Sequence, residues 1–152
     1  VKDISLTLLS EGKTIRIKAH GYSMYPCIKP GSIILIEPLN IKGLPQPGEI
    51  IAIRRESGLI VHRLIKIINK NRAASYIARG DSNPYADNPV KIEMIAGRIV
   101  RAESTGENPV PADIRINTKP NYFFNRIRVM FLLIKKKIQL TARLGRLFVL
   151  CG

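Results

Sequence analysis

The 152-residue chain has no tryptophan, two cysteines and two histidines. Cys27 and Cys151 are too few for a disulfide scaffold, although one bridge between them fits the count. No C-x-x-C pair is present to suggest zinc or redox chemistry. Only His20 and His62 can supply imidazole, and nothing clusters with them at metal-ligand spacing. The expectation is no metal and no cofactor. Long apolar runs are missing too. The longest, "VMFLLI", spans Val129 to Ile134, far short of the ~18 residues that a membrane span requires. The N-terminal residues lack the charged–apolar–small pattern of a secretory leader. The chain as read is not expected to cross a membrane. Acid is absent from the last stretch: residues 119–152 hold eight of the 25 Lys+Arg and none of the 11 Asp+Glu.

What is present is a globular composition, 45% apolar, long enough for one domain with a real core. "ISLTLLSEG" reads as a short N-terminal helix ended by Gly12. After it come "TIRIKA", "SIILIE", "EIIAIRR", "LIVHRLIKII", "ASYIAR", "AGRIVRA" and "DIRIN". Each is a short apolar or alternating run, bounded by turn-forming stretches such as "LPQPG", "ESG", "NKN", "GDSNP" and "TGENP". Strands at this spacing without intervening helices predict a mainly β, mostly antiparallel domain. It would occupy residues 1–118, with "NTKP" around Pro120 at its edge.

Residues 119–152 interleave apolar and basic residues. Leu140, Leu144, Leu147 and Phe148 fall at helical spacing, so this segment reads as a basic amphipathic helix. Three uses are open to it. It can lie in the interface of an anionic membrane, each cation adding roughly 1 kcal/mol. It can dock on the β domain, or it can bind nucleic acid or a protein partner. The net charge of +14 suits lipid headgroups and phosphodiesters alike. Sequence-specific nucleic-acid binding is not expected.

The chemistry-bearing stretch is "GYSMYPCIKPGS", residues 21–32, where Ser23 stands in a turn rich in Gly and Pro. A serine hydroxyl is a poor nucleophile until a base takes its proton. Histidine can do so near neutral pH without special burial. His62 lies inside "LIVHRLIKII". On a regular strand it shares a face with Ile60, Leu64 and Ile68, a setting that also suits a satisfied core histidine. Asp81 and Asp87 flank the loop in "ARGDSNPYAD". A carboxylate there can orient an imidazole, or it can simply form the turn. His20, three residues before Ser23, is a second candidate base. Its position on the same turn favours His62. Cys27 has only Lys29 as a nearby cation in sequence and reads as a small packed hydrophobe rather than a reactive thiol.

In order, "GYSMYPCIKPGS", "PGEIIAI", "IVHRLIKI", "ARGDSNPYAD" and "IAGRIV" resemble the signal peptidase I family, within the larger group that includes the LexA-type self-cleaving repressors. The resemblance covers roughly residues 12–101. Its most specific element is Gly21-Tyr22-Ser23-Met24-Tyr25-Pro26. It implies a β-rich catalytic domain with a precursor or leader peptide lying extended beside the site. Ser23 would be the nucleophile of an endopeptidase that cuts after small residues through an acyl-enzyme. The base position carries His62, as in the endoplasmic-reticulum and archaeal type, where bacterial enzymes carry lysine. The loop acids fall on Asp87, as partner of His62, and Asp81, as organiser of the loop. The Ser23 backbone N–H would hold the oxyanion. Gly21 stands where some relatives place a hydroxyl, and Met24 and Tyr25 would pack beneath the site or line the groove.

The chain departs from that family in four respects, one being that the large extra β domain of many bacterial enzymes is not read in it. Ser32 stands where an acid often follows the glycine, Ser82 replaces an Asn of the usual loop, and no transmembrane anchor is read. A peripheral or cytoplasmic peptidase serving one precursor therefore stands beside general precursor processing. Two alternatives remain. One is a catalytically inactive, membrane-associated binding module of the same fold. The other is a LexA-like self-cleaving regulator, which would need a DNA-binding region before the serine and a lysine base.

Overall fold

The computed structural model describes residues 2–40, 43–70 and 73–103, together with the helical positions Ile127, Met130, Phe131 and Ile134. A helix α1 (Lys2–Ser10) leads into strand β1 (Ile15–Lys18). Then follow β2 (Ile33–Glu37), β3 (Ile50–Arg55), β4 (Gly58–Lys70) and β5 (Ala73–Arg79). A short 3-10 turn (Ile92–Met94) leads into β6 (Ile95–Glu103). One six-stranded sheet has the order β1-β2-β6-β3-β4-β5, and every neighbouring pair is antiparallel. The fold is mainly β, as the spacing of the apolar runs implies. "DIRIN", the boundary near residue 118 and most of the 119–152 segment lie outside the described residues.

The sheet buries apolar side chains on both faces. Ile50 and Ala52 of β3 pack with Ile34, Ile36 and Ile99 in one cluster, while Ile51 and Ile53 pack with Leu64, Tyr76 and Ala78 in another. A central strand covered on both sides is continuously apolar rather than alternating, which accounts for "IIAI". Each fully buried isoleucine contributes about 1.5–3 kcal/mol relative to exposure. The helix α1 adds Leu9 to the first cluster.

The regular alternation expected across "LIVHRLIKII" does not hold. The β4–β5 register shifts between Leu64 and Lys66, so one extra residue interrupts the pleat. A bulge moves later side chains to the opposite face. Ile67 therefore joins Leu64 in the second cluster, and Ile68 does not share the face of His62.

The turn expected at "LPQPG" is tied to two buried arginines. Glu49 of "PGEII" pairs with Arg98 of "AGRIV" at 2.9 Å, and Arg98 also donates to the Gly43 carbonyl. The Gly48 carbonyl accepts from Arg63 Nη1 at 2.8 Å. At Gly97, a Cβ would collide with the Glu37 carbonyl, so β2 and β6 approach this closely only with glycine there.

Candidate active site

Ser23 lies in the connection between β1 and β2, whose ends are closed by backbone hydrogen bonds between Ala19 and Ser32 (2.7 Å) and between Gly31 and Ala19 (2.8 Å). Gly21 enters the turn at φ +85°, a left-handed conformation that favours glycine. A Cβ there would meet nothing within 4 Å, so the space beside it is open. Met24 is buried in the core cluster and also lines the cleft. Tyr22 and Tyr25 are exposed. The Tyr25–Pro26 peptide bond is cis.

The loop after β5 grips this turn. Ser82 donates its backbone N–H to the Ser23 carbonyl at 2.9 Å and its hydroxyl to the Tyr22 carbonyl at 2.7 Å. A Cβ on Gly80 would stand 2.7 Å from the Ser23 carbonyl oxygen, so only glycine permits this approach. The far end of the loop returns along β5 through hydrogen bonds from Asp87 N to Ala78 O (2.8 Å) and between Tyr76 and Val90.

That return sets Asp87 beside β4. Its Oδ2 lies 2.5 Å from His62 Nδ1. A carboxylate has no proton to give, so Nδ1 donates and Nε2 is left as the free ring nitrogen. His62 is buried on β4, opposite Ile51 of β3. The next residue, Arg63, makes a different pairing. Its Nε and Nη2 donate to Asp81 at 2.9 and 2.8 Å, in a fork that is about 97% removed from solvent on both sides. Burial, the largest influence, pulls the Arg63 pKa down. The hydrogen bond and charge of Asp81 outweigh it and hold the pKa above its ordinary value. The two acids thus divide their partners: Asp87 on the histidine, Asp81 on the arginine that anchors the loop.

Arg63 was not visible as a site residue in the sequence. Its only signal was a cation inside an apolar strand, next to His62. It also changes the surroundings of Cys27. Lys29 is the near cation in sequence, but the fold brings Arg63 Nη2 to 3.4 Å from Cys27 Sγ. Burial still pushes the thiol pKa up, with Arg63 opposing and Asp81 adding to the rise. Cys27 is a half-buried neutral thiol rather than a poised nucleophile.

A cleft of about 720 Å³ opens beside Ser23. Ile17, Lys18 and Ala19 line one side, and Gly58 to Val61 of β4 line the other. Among the described residues, β1 is an edge strand, and β4 ahead of Arg63 has a neighbour only in β3. His20 lines the cleft but is exposed and has no carboxylate partner among the described residues. No hydrogen bond joins Ser23 Oγ to His62 among the described residues, nor does an acceptor there take the Ser23 N–H. The same residues hold no group of three or more His, Cys, Asp or Glu able to bind a metal. They also include no helix long and apolar enough to cross a membrane. No protein-family model and no curated protein matches the chain.

Proposed function

We propose that the protein is a serine endopeptidase of the signal peptidase I type, with Ser23 as nucleophile and His62 as general base. The observation that carries this reading is the 2.5 Å Asp87–His62 pair. It fixes the tautomer whose Nε2 can accept a proton, and it does so on the strand that walls the Ser23 cleft. A precursor or leader peptide would add to an exposed strand edge, its main chain held by β-type hydrogen bonds. Ser23 Oγ would attack the scissile carbonyl and pass its proton to His62 Nε2. His62 would return that proton to the departing amine, leaving an acyl-enzyme. Water, deprotonated by the same nitrogen, would then release the acyl group. The Ser23 N–H is available to a developing oxyanion. Closure of Ser23 onto His62 belongs to the substrate complex, since catalytic hydrogen bonds in free enzymes are often long.

The test is cleavage of peptides bearing alanine just before the cut. Ser23→Ala and His62→Gln should abolish turnover, while His20→Gln should leave it within about twofold. The unlinked Ser23 and His62 favour one second reading, a binding module of the same fold. Peptide binding without cleavage by the wild-type chain would select it.

The basic 119–152 segment suits peripheral contact with anionic lipid. Exposure of Met130, Phe131 and Ile134 on helical positions supports this use. Co-sedimentation with phosphatidylserine vesicles should be lost when Lys135, Lys136 and Lys137 become Gln together. Equal sedimentation of that variant would remove lipid contact through these lysines.

A further inference from the structure

The side chains along the cleft edge are charged in one sense. The lining contains Arg16, Lys18 and His20 and no carboxylate. These three alternate with Ile15, Ile17 and Ala19 along β1 and the two residues after it. The first set is exposed, and the second is turned toward the core. Arg16 is engaged with Glu103 at 2.7 Å, and Glu103 is shared with Arg101 at 3.4 Å. Lys18 has no hydrogen bond or ion pair among the described residues. Arg16 and Arg101 thus share the Glu103 carboxylate, while Lys18 is not part of that pairing.

The backbone fixes what a bound strand would present to Lys18. Ala19 gives its N–H to Ser32, on the β2 side. Hydrogen-bonding direction alternates along a strand, so the N–H and C=O of Lys18 face the open edge. A peptide that pairs there sets one residue opposite Lys18, and directly opposed residues project to the same face. Its neighbours would point inward, toward Ile17, Ala19 and Met24.

From this geometry we infer that the cleft selects peptides whose inward residues are apolar or small and whose outward residue opposite Lys18 is acidic, with Lys18 as the specificity-determining residue. The inference names the substrate class of the peptidase proposed above and so rests on that reading for cleavage. It does not rest on it for binding.

Short fluorescent peptides test it. They carry apolar inward positions and Glu, Gln or Lys outward. Binding is measured on Ser23→Ala, which cannot turn them over, and on Ser23→Ala with Lys18→Glu. At low salt the Glu peptide should bind the first about fivefold more tightly than the Gln peptide, and the order of Glu and Lys peptides should reverse on the second. Equal affinities, or a preference that Lys18→Glu leaves intact, would overturn the inference. Cleavage by the Ser23-containing chain is scored separately. Charge discrimination in binding with no cleavage would leave the acidic-peptide inference standing and end the peptidase reading. Cleavage without charge discrimination would do the reverse.

Discussion

Asp87 holds His62 by Nδ1 across 2.5 Å, through a loop whose first turn is hydrogen-bonded to the serine-bearing segment. One loop thus touches both halves of the proposed dyad. At its Ser82 end it fixes the Tyr22–Ser23 backbone, and at its Asp87 end it fixes the imidazole. The orientation of the base is coupled to the position of the nucleophile through six residues of chain.

The first prediction concerns that carboxylate. Asp87→Asn keeps the shape and removes the charge, and its amide can present N–H to Nδ1 and favour the wrong tautomer. Peptide turnover should fall by about 10²–10⁴ with little change in peptide affinity. Steady-state kinetics beside equilibrium binding would separate the two. A loss confined to affinity would place Asp87 in substrate contact instead.

Asp81 should behave differently. It is buried against Arg63, and removing one partner leaves an uncompensated buried charge. Asp81→Leu should destabilise the fold by about 3–5 kcal/mol in urea unfolding. Arg63→Met combined with Asp81→Leu should recover much of that loss, because neither charge is then stranded.

The third prediction is steric. Gly80→Ala places a methyl 2.7 Å from the Ser23 carbonyl oxygen, which must move. Overpacking of this kind costs about 1–3 kcal/mol. Activity should fall more than stability does, because the displaced group belongs to the proposed nucleophile's own peptide unit. Activity and melting temperature that both match wild type would show that the loop yields without disturbing Ser23.

Cys27 provides a pH test. Burial raises its thiol pKa above the reference 9.0, so the unfolded chain releases that proton first as pH rises. The neutral thiol's contribution to stability is therefore full below about pH 9 and declines above it. Unfolding free energy should drop as pH rises above 9 in wild type, and less in Cys27→Ala. Mass mapping after iodoacetamide treatment at pH 8 should find native Cys27 modified at least about tenfold more slowly than in urea.

Much of this architecture was legible because it is local. The runs "SIILIE" and "EIIAIRR" are bounded by turns, and β2 and β3 begin and end within a few residues of them. The spacing of Asp81 and Asp87 was equally visible. Their partners were not, because Arg63 and Asp81 meet across 18 residues of chain and a strand pairing that no periodicity encodes. Nor was the β4 bulge, since "HRLIKI" carries no glycine or proline to mark an extra residue. Cys27 was read against its sequence neighbours, whereas the cation beside it arrives from another strand, 36 residues away.

The most direct measurement of the central claim is acyl-enzyme capture. An acylating serine-directed probe is applied near pH 8 to wild type, His62→Ala and His20→Ala, with and without anionic vesicles, and the adduct is located by mass mapping. The account predicts label on Ser23 in wild type and His20→Ala, and its loss in His62→Ala. An unlabelled Ser23 under both conditions, or labelling that persists without His62, would contradict the proposed dyad.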